Sequence, residues 1–152
     1  MAKSDKIGDW FQAEFWDRLR KHFESDGFVH EFVDTRQAAR FVRAQPSDFM
    51  VKATASSLTH FVEVKASEKH DSLRNCFQMV RDQQCAYARK WQDLAGKYTF
   101  WFYSEPRNVI EVWGGDLLAW CRAEGKPLPA IALIAEFPWD QLDQKMIEIL
   151  TK

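Results

Sequence analysis

No apolar run in this 152-residue chain approaches the ~20 residues that a membrane-spanning helix needs. The opening Met1-Ala2-Lys3-Ser4-Asp5-Lys6 leads into an amphipathic segment and not a continuous apolar one, so no secretory signal is expected. Cysteine is scarce. Cys76, Cys85 and Cys121 are odd in number and lack metal-ligand spacing, which disfavours a disulfide scaffold and fits a reducing, cytoplasmic setting. His22, His30, His60 and His70 share no ligand spacing either, and His60 reads as a surface imidazole near a turn. A basic excess is also missing: 21 Lys and Arg face 22 Asp and Glu, for a net charge of -1. A nucleic-acid partner would therefore have to be met through local patches. Arg18, Arg20 and Lys21, then Arg36, Arg40 and Arg43, then Arg81, Arg89 and Lys90 are the available ones. Each also reads as a solvated helix face balanced by nearby acids. Repeats and low-complexity tracts are absent. What is present is a hydrophobic content of 46% with seven Trp, enough for one domain of residues 1–152 around a single core.

Periodicity divides the chain into alternating elements. Ile7, Phe11, Phe15, Leu19 and Phe23 recur every four residues, so a helix is expected over 7–23, stopped near Asp26-Gly27. A strand follows over 28–33, then a short helix or turn over 36–43, ended near Pro46. Residues 47–53 and 58–66 read as two strands joined by Thr54-Ala55-Ser56-Ser57. A long helix is expected over 72–95, stopped by Gly96. Strands at 97–104 and 109–113, a short helix from Asp116 to Arg122, a strand over 130–137 and a helix over 139–150 complete the chain. This order predicts an α/β fold with a mixed central β-sheet flanked by helices.

The hairpin carries the chemistry. If Thr54 and Ser57 close a two-residue loop, Asp48 falls opposite Glu63, with Cβ atoms ~5 Å apart on one face. Lys65, two residues on, shares that face, and Phe49, Val51, Val62 and Val64 form an apolar layer on the other. Two carboxylates so close repel unless a cation lies between them, and an all-oxygen donor set suits Mg²⁺ or Mn²⁺. Such an ion polarises a phosphoryl oxygen and acidifies a bound water. An ordinary cross-strand cluster of salt bridges fits the same three residues.

Two further residues are candidates. Gln84 interrupts the apolar stripe Leu73, Phe77, Val80, Tyr87, Trp91 and Leu94, and a buried amide needs partners. It faces either the carboxylates or backbone at a helix–sheet contact. Glu14 lies on the flank of the first helix, three residues after Phe11, where a solvated role also fits.

Taken together, Pro46-Ser47-Asp48 followed by Glu63-Val64-Lys65 resembles the PD-(D/E)xK nuclease superfamily, with a Ser inserted between Pro and Asp. Within it, the chain is most similar to the Holliday-junction resolvase group, the archaeal Hjc-like and bacterial RecU-like enzymes. Those carry a Glu in the first helix, here Glu14, and a His-Gln pair in the helix after Glu-x-Lys. Arg81-Asp82-Gln83-Gln84 occupies that place, with Gln where the pair has His. The resemblance spans residues 7–104 and leaves 105–152 as a C-terminal extension. It implies a restriction-endonuclease-like core and Mg²⁺ (or Mn²⁺) held by Asp48, Glu63 and the Val64 carbonyl. Lys65 would orient the attacking water, Gln84 would orient Lys65 or that water, and Glu14 would assist at the metal. It further implies hydrolysis of DNA, including branched DNA, to leave 5′-phosphates, by a two-fold homodimer of a kind frequent in phages. A nuclease fold that binds DNA or a protein partner without cutting is the alternative.

Overall fold

The computed structural model describes residues 3–32, 45–93 and 97–152. The expected helix or turn over 36–43, with its arginines, and the Gly96 stop lie outside the described residues. Helix α1 spans Lys3–Phe23 and buries Phe11, Phe15, Leu19 and Phe23, the four-residue stripe read from the sequence. Strands β1 (Gly27–Glu31), β2 (Phe49–Ala53) and β3 (His60–Ser67) follow. Next come a 3₁₀ segment at Leu73–Met79 and helix α2 at Asp82–Asp93. Strands β4 (Lys97–Ser104) and β5 (Val109–Gly114), helix α3 (Gly115–Ala123), strand β6 (Leu133–Pro138) and helix α4 (Leu142–Leu150) complete the order. Short 3₁₀ turns at Ala130–Ala132 and Trp139–Gln141 take the first residues of the expected last strand and last helix.

The fold is α/β. One six-stranded mixed sheet runs in the order β1-β2-β3-β4-β5-β6, antiparallel except for the parallel β3–β4 pair. That pair needs a crossover, and the 3₁₀ segment with α2 supplies it. β3 and β4 are buried on both faces, which is why the run KYTFWFYS shows no alternation.

Two cores result, one on each face. Against α1 and α4 the sheet presents Phe49, Val51, Val62, Val64, Trp101 and Phe137. Phe15 stacks on Phe49 at 5.6 Å and meets Trp101 edge-on at 5.2 Å. Against the crossover and α3 it presents Phe61, Phe100, Phe102 and Trp113, packed with Leu73, Val80 and Leu118. Residues after 104 thus extend the same sheet and fill the same cores. No helix among the described residues is long and apolar enough to cross a membrane.

The expected helix over 72–95 is broken. Ser72 caps the 3₁₀ segment, Cys76 is non-helical (φ -137°, ψ 37°), and Val80 is extended before α2 begins. A buried carboxylate explains the early part. Glu111 of β5 accepts bonds from Ser72 Oγ (3.0 Å), the Leu73 amide (2.9 Å) and Trp113 Nε1 (3.1 Å). It holds the start of the crossover against the sheet, and that tertiary bond set outweighs the helical periodicity.

Candidate functional site

The β2–β3 register pairs Phe49 with Val62, Met50 with Phe61 and Val51 with His60, as the sequence predicted. Continued by one residue, it sets Asp48 opposite Glu63. The connection is wider than a two-residue loop: the ladder stops at Val51–His60, and residues 54–59 link the strands. The Ser56 hydroxyl explains this, accepting from the Leu58 amide and donating to the Lys152 carbonyl. Face sorting follows the register. Phe49, Val51, Val62 and Val64 face α1 and α4, while Glu63 faces the crossover.

Four of the sequence-predicted residues come together. The Asp48 and Glu63 carboxyl groups are hydrogen-bonded to one another. Asp48 Oδ2 also accepts from the Val64 amide at 2.9 Å. Glu63 is buried, only 6% exposed. Burial, then the Asp48 charge, drive its pKa well above the usual carboxylate value, with Lys65 and Arg81 opposing. Lys65 Nζ lies 3.9 Å from Glu63 Oε1. Gln84 Nε2 donates to that same oxygen at 2.8 Å.

Gln84 reaches this place by a different route from the one its spacing suggested. It stands in the first turn of α2, and its Oε1 accepts from the Arg81 amide at 2.9 Å. This is the back-bond of a capping box, which satisfies an otherwise orphaned helix donor. With its oxygen engaged in the cap, Gln84 offers its N–H to Glu63. Gln84 thus faces the carboxylates, and its backbone bond goes to its own helix cap and not to a helix–sheet contact.

Glu14 does not join the group. It forms an ion pair with Arg18, which also reaches Asp143 of α4 at 3.4 Å and lies over the Trp139 ring at 4.8 Å. The phase of α1 causes this: one residue before the inward-facing Phe15, Glu14 turns to the flank shared with α4. Glu31 was missed by sequence reading. It pairs with Phe49 across β1–β2, one residue from Asp48, and burial, then the charges of Asp48 and Asp17, raise its pKa. Tyr98 has no role in the sequence reading, yet its hydroxyl donates to the Pro46 carbonyl at 2.5 Å. Burial, then the charges of Glu63 and Asp48, hold its pKa well above the usual value. Nothing in the strand pattern KYTFWFYS distinguishes this Tyr from its Phe neighbours.

His60 is buried, contrary to the expected surface imidazole. Its Nε2 lies 3.3 Å from the Lys152 carbonyl, and burial lowers its pKa. Two cations of the α1 patch are engaged in ion pairs, Arg18 as above and Arg20 with Glu24 at 2.9 Å. Arg81 is exposed at the mouth of the carboxylate pair.

The donor set at the pair is oxygen only. Among the described residues no three His, Cys, Asp or Glu side chains group closely enough to hold a metal ion. A cation at Asp48 and Glu63 would complete its shell with backbone oxygen and water, which suits Mg²⁺ and not zinc. Two carboxyls this close, one of them buried, fit that role, because a divalent ion offsets the repulsion that raises the Glu63 pKa. No protein-family model matches this chain, and no curated protein matches it.

Proposed function

We propose that this chain is a metal-dependent endonuclease that hydrolyses phosphodiester bonds in DNA, with a restriction-endonuclease-like core and a PD-(D/E)xK centre. Four-way junctions are the preferred substrate and a homodimer the working form, both carried by the resemblance to junction resolvases. The observation that supports the reading best is the meeting of Asp48, Glu63, Lys65 and Gln84 on one face of the sheet. A salt-bridge cluster alone gives no reason to bury Glu63 beside a second carboxyl, where burial and the Asp48 charge both disfavour its ionised form.

In this reading Asp48 and Glu63 hold Mg²⁺, with the Val64 carbonyl beside them. The ion, when bound, polarises the scissile phosphate and acidifies water. The residues do the rest. Gln84 fixes the Glu63 carboxylate through its N–H, so that carboxylate needs no reorganisation when substrate arrives. Lys65 presents an ammonium on the same face, where it orients the attacking water or offsets charge on the pentacovalent phosphorus. Arg81 stands at the mouth, placed to meet a neighbouring phosphate.

Cleavage of labelled duplex, single-strand, flap and four-way junction DNA in Mg²⁺ or Mn²⁺ tests this, with wild type beside Glu63→Ala and Lys65→Ala. The expected outcome is cutting by wild type and loss of at least about a hundredfold in both folded variants. The near-neutral charge favours the rival reading, a nuclease fold that binds without cutting. DNA binding by a folded wild type that cuts nothing would establish that rival.

A further inference from the structure

Asp48 lies one residue before β2, so the strand register sets its face and further bonds hold its carboxylate in place. Its backbone carbonyl accepts from the Phe32 amide at 2.9 Å and its side chain from the Val64 amide. The third tether is two residues upstream. Tyr98 of β4 reaches the Pro46 carbonyl with its hydroxyl. This Tyr cannot swing freely, because its ring is 1% exposed, stacks on Phe61 at 6.4 Å and tilts against Phe100 at 5.4 Å.

It is also braced on its backbone side. A Cβ on Gly115 would lie 2.6 Å from the Tyr98 carbonyl oxygen and 3.0 Å from the Tyr98 Cβ. Only glycine lets α3 begin this close to β4. A contiguous path therefore runs from the start of α3, through Tyr98 and Pro46, to Asp48. The path begins in the C-terminal third, the part of the chain that the nuclease pattern does not cover.

We propose that Tyr98, backed by Gly115, is a positioning residue that aims Asp48 at Glu63, which makes α3 a working part of the site. The catalytic side of this inference rests on the nuclease reading, whereas its structural side does not. The Val64 amide reports on Asp48 directly, because the Asp48 carboxylate is its acceptor.

Tyr98→Phe removes one hydroxyl and leaves the ring in place. Metal-free wild type and variant are compared by amide hydrogen exchange, with Val112 of β5 as the internal reference. The expected result is faster exchange at Val64 by about tenfold or more, with Val112 unchanged. Cleavage then falls by about tenfold or more in kcat, with KM for DNA held, because the metal site is misaimed while DNA contacts remain. Gly115→Ala, where it folds, loses Val64 protection in the same way.

Wild-type Val64 protection in a folded Tyr98→Phe protein overturns the proposal. So does faster Val64 exchange with kcat unchanged, since Tyr98 would then position nothing that matters to cutting. Val64 protection kept in folded Gly115→Ala removes α3 from the path. A wild type that cuts no DNA counts against the nuclease reading alone, and the Val64 measurement still decides whether Tyr98 aims Asp48.

Discussion

Replacing Gln84 by Ala and by Glu separates the two bonds that this side chain makes. Gln84→Ala removes the acceptor for the Arg81 amide and the donor to Glu63 together. Loss of a helix cap costs about 1 kcal/mol, and a buried acceptor left one bond short costs about 1–2 kcal/mol. Their sum, ~2–3 kcal/mol, lowers Tm by roughly 5–10 °C for a domain of this size. Gln84→Glu keeps the acceptor, so the cap survives, but a carboxyl now faces Glu63 across 2.8 Å.

The pH dependence of that variant has a definite sign. Held beside Glu63, the introduced carboxyl has a folded pKa above its unfolded value of ~4.3. Its stabilising bond to Glu63 is therefore present below pH ~4.3 and lost as pH rises through the folded pKa. Thermal unfolding from pH 4 to pH 8 in EDTA is the assay. Gln84→Glu should lie near wild type at pH 4 and fall progressively behind it toward pH 8, while Gln84→Ala stays low throughout. A pH-independent gap between Gln84→Glu and wild type would refute the argument, as would a Gln84→Ala protein as stable as wild type.

Two further outcomes follow from the same geometry. In metal-free protein, the raised Glu63 pKa means that the folded state keeps a proton which the unfolded state gives up above its pKa of ~4.3. Wild-type stability should fall as pH rises from there to the folded pKa. Glu63→Gln should flatten that decline and be the more stable protein at pH 8 by chemical denaturation, and a less stable variant there would contradict the raised Glu63 pKa. Glu14→Gln should cut DNA at the wild-type rate, because Glu14 is occupied by Arg18 on the α4 flank. A tenfold loss in single-turnover cleavage would return Glu14 to the site.

The hairpin was legible because two short-range rules agree there. Alternation assigns Phe49, Val51, Val62 and Val64 to the core, and a one-residue slip would put one strand's pair on the wrong face. Asp48, Glu63 and Lys65 then have only the other face available. Helix α1 was legible for a similar reason, its stripe of Phe11, Phe15, Leu19 and Phe23 being buried as spaced. The crossover was not. Its apolar spacing is helical throughout, but Glu111, some forty residues later in the chain, claims Ser72 and Leu73 and leaves α2 to restart at Asp82.

The sequence by itself determined the element order, the mixed sheet, and which residue types share the polar face of the hairpin, because strand and helix periods are local properties. Tertiary structure alone decided that Gln84 caps α2 while bonding Glu63, that Glu14 turns to Arg18, and that Tyr98 holds the approach to Asp48. Each of these depends on where a second element lies in space. A side-chain oxygen takes whichever donor the packing brings within about 3 Å, and no local pattern records that distance.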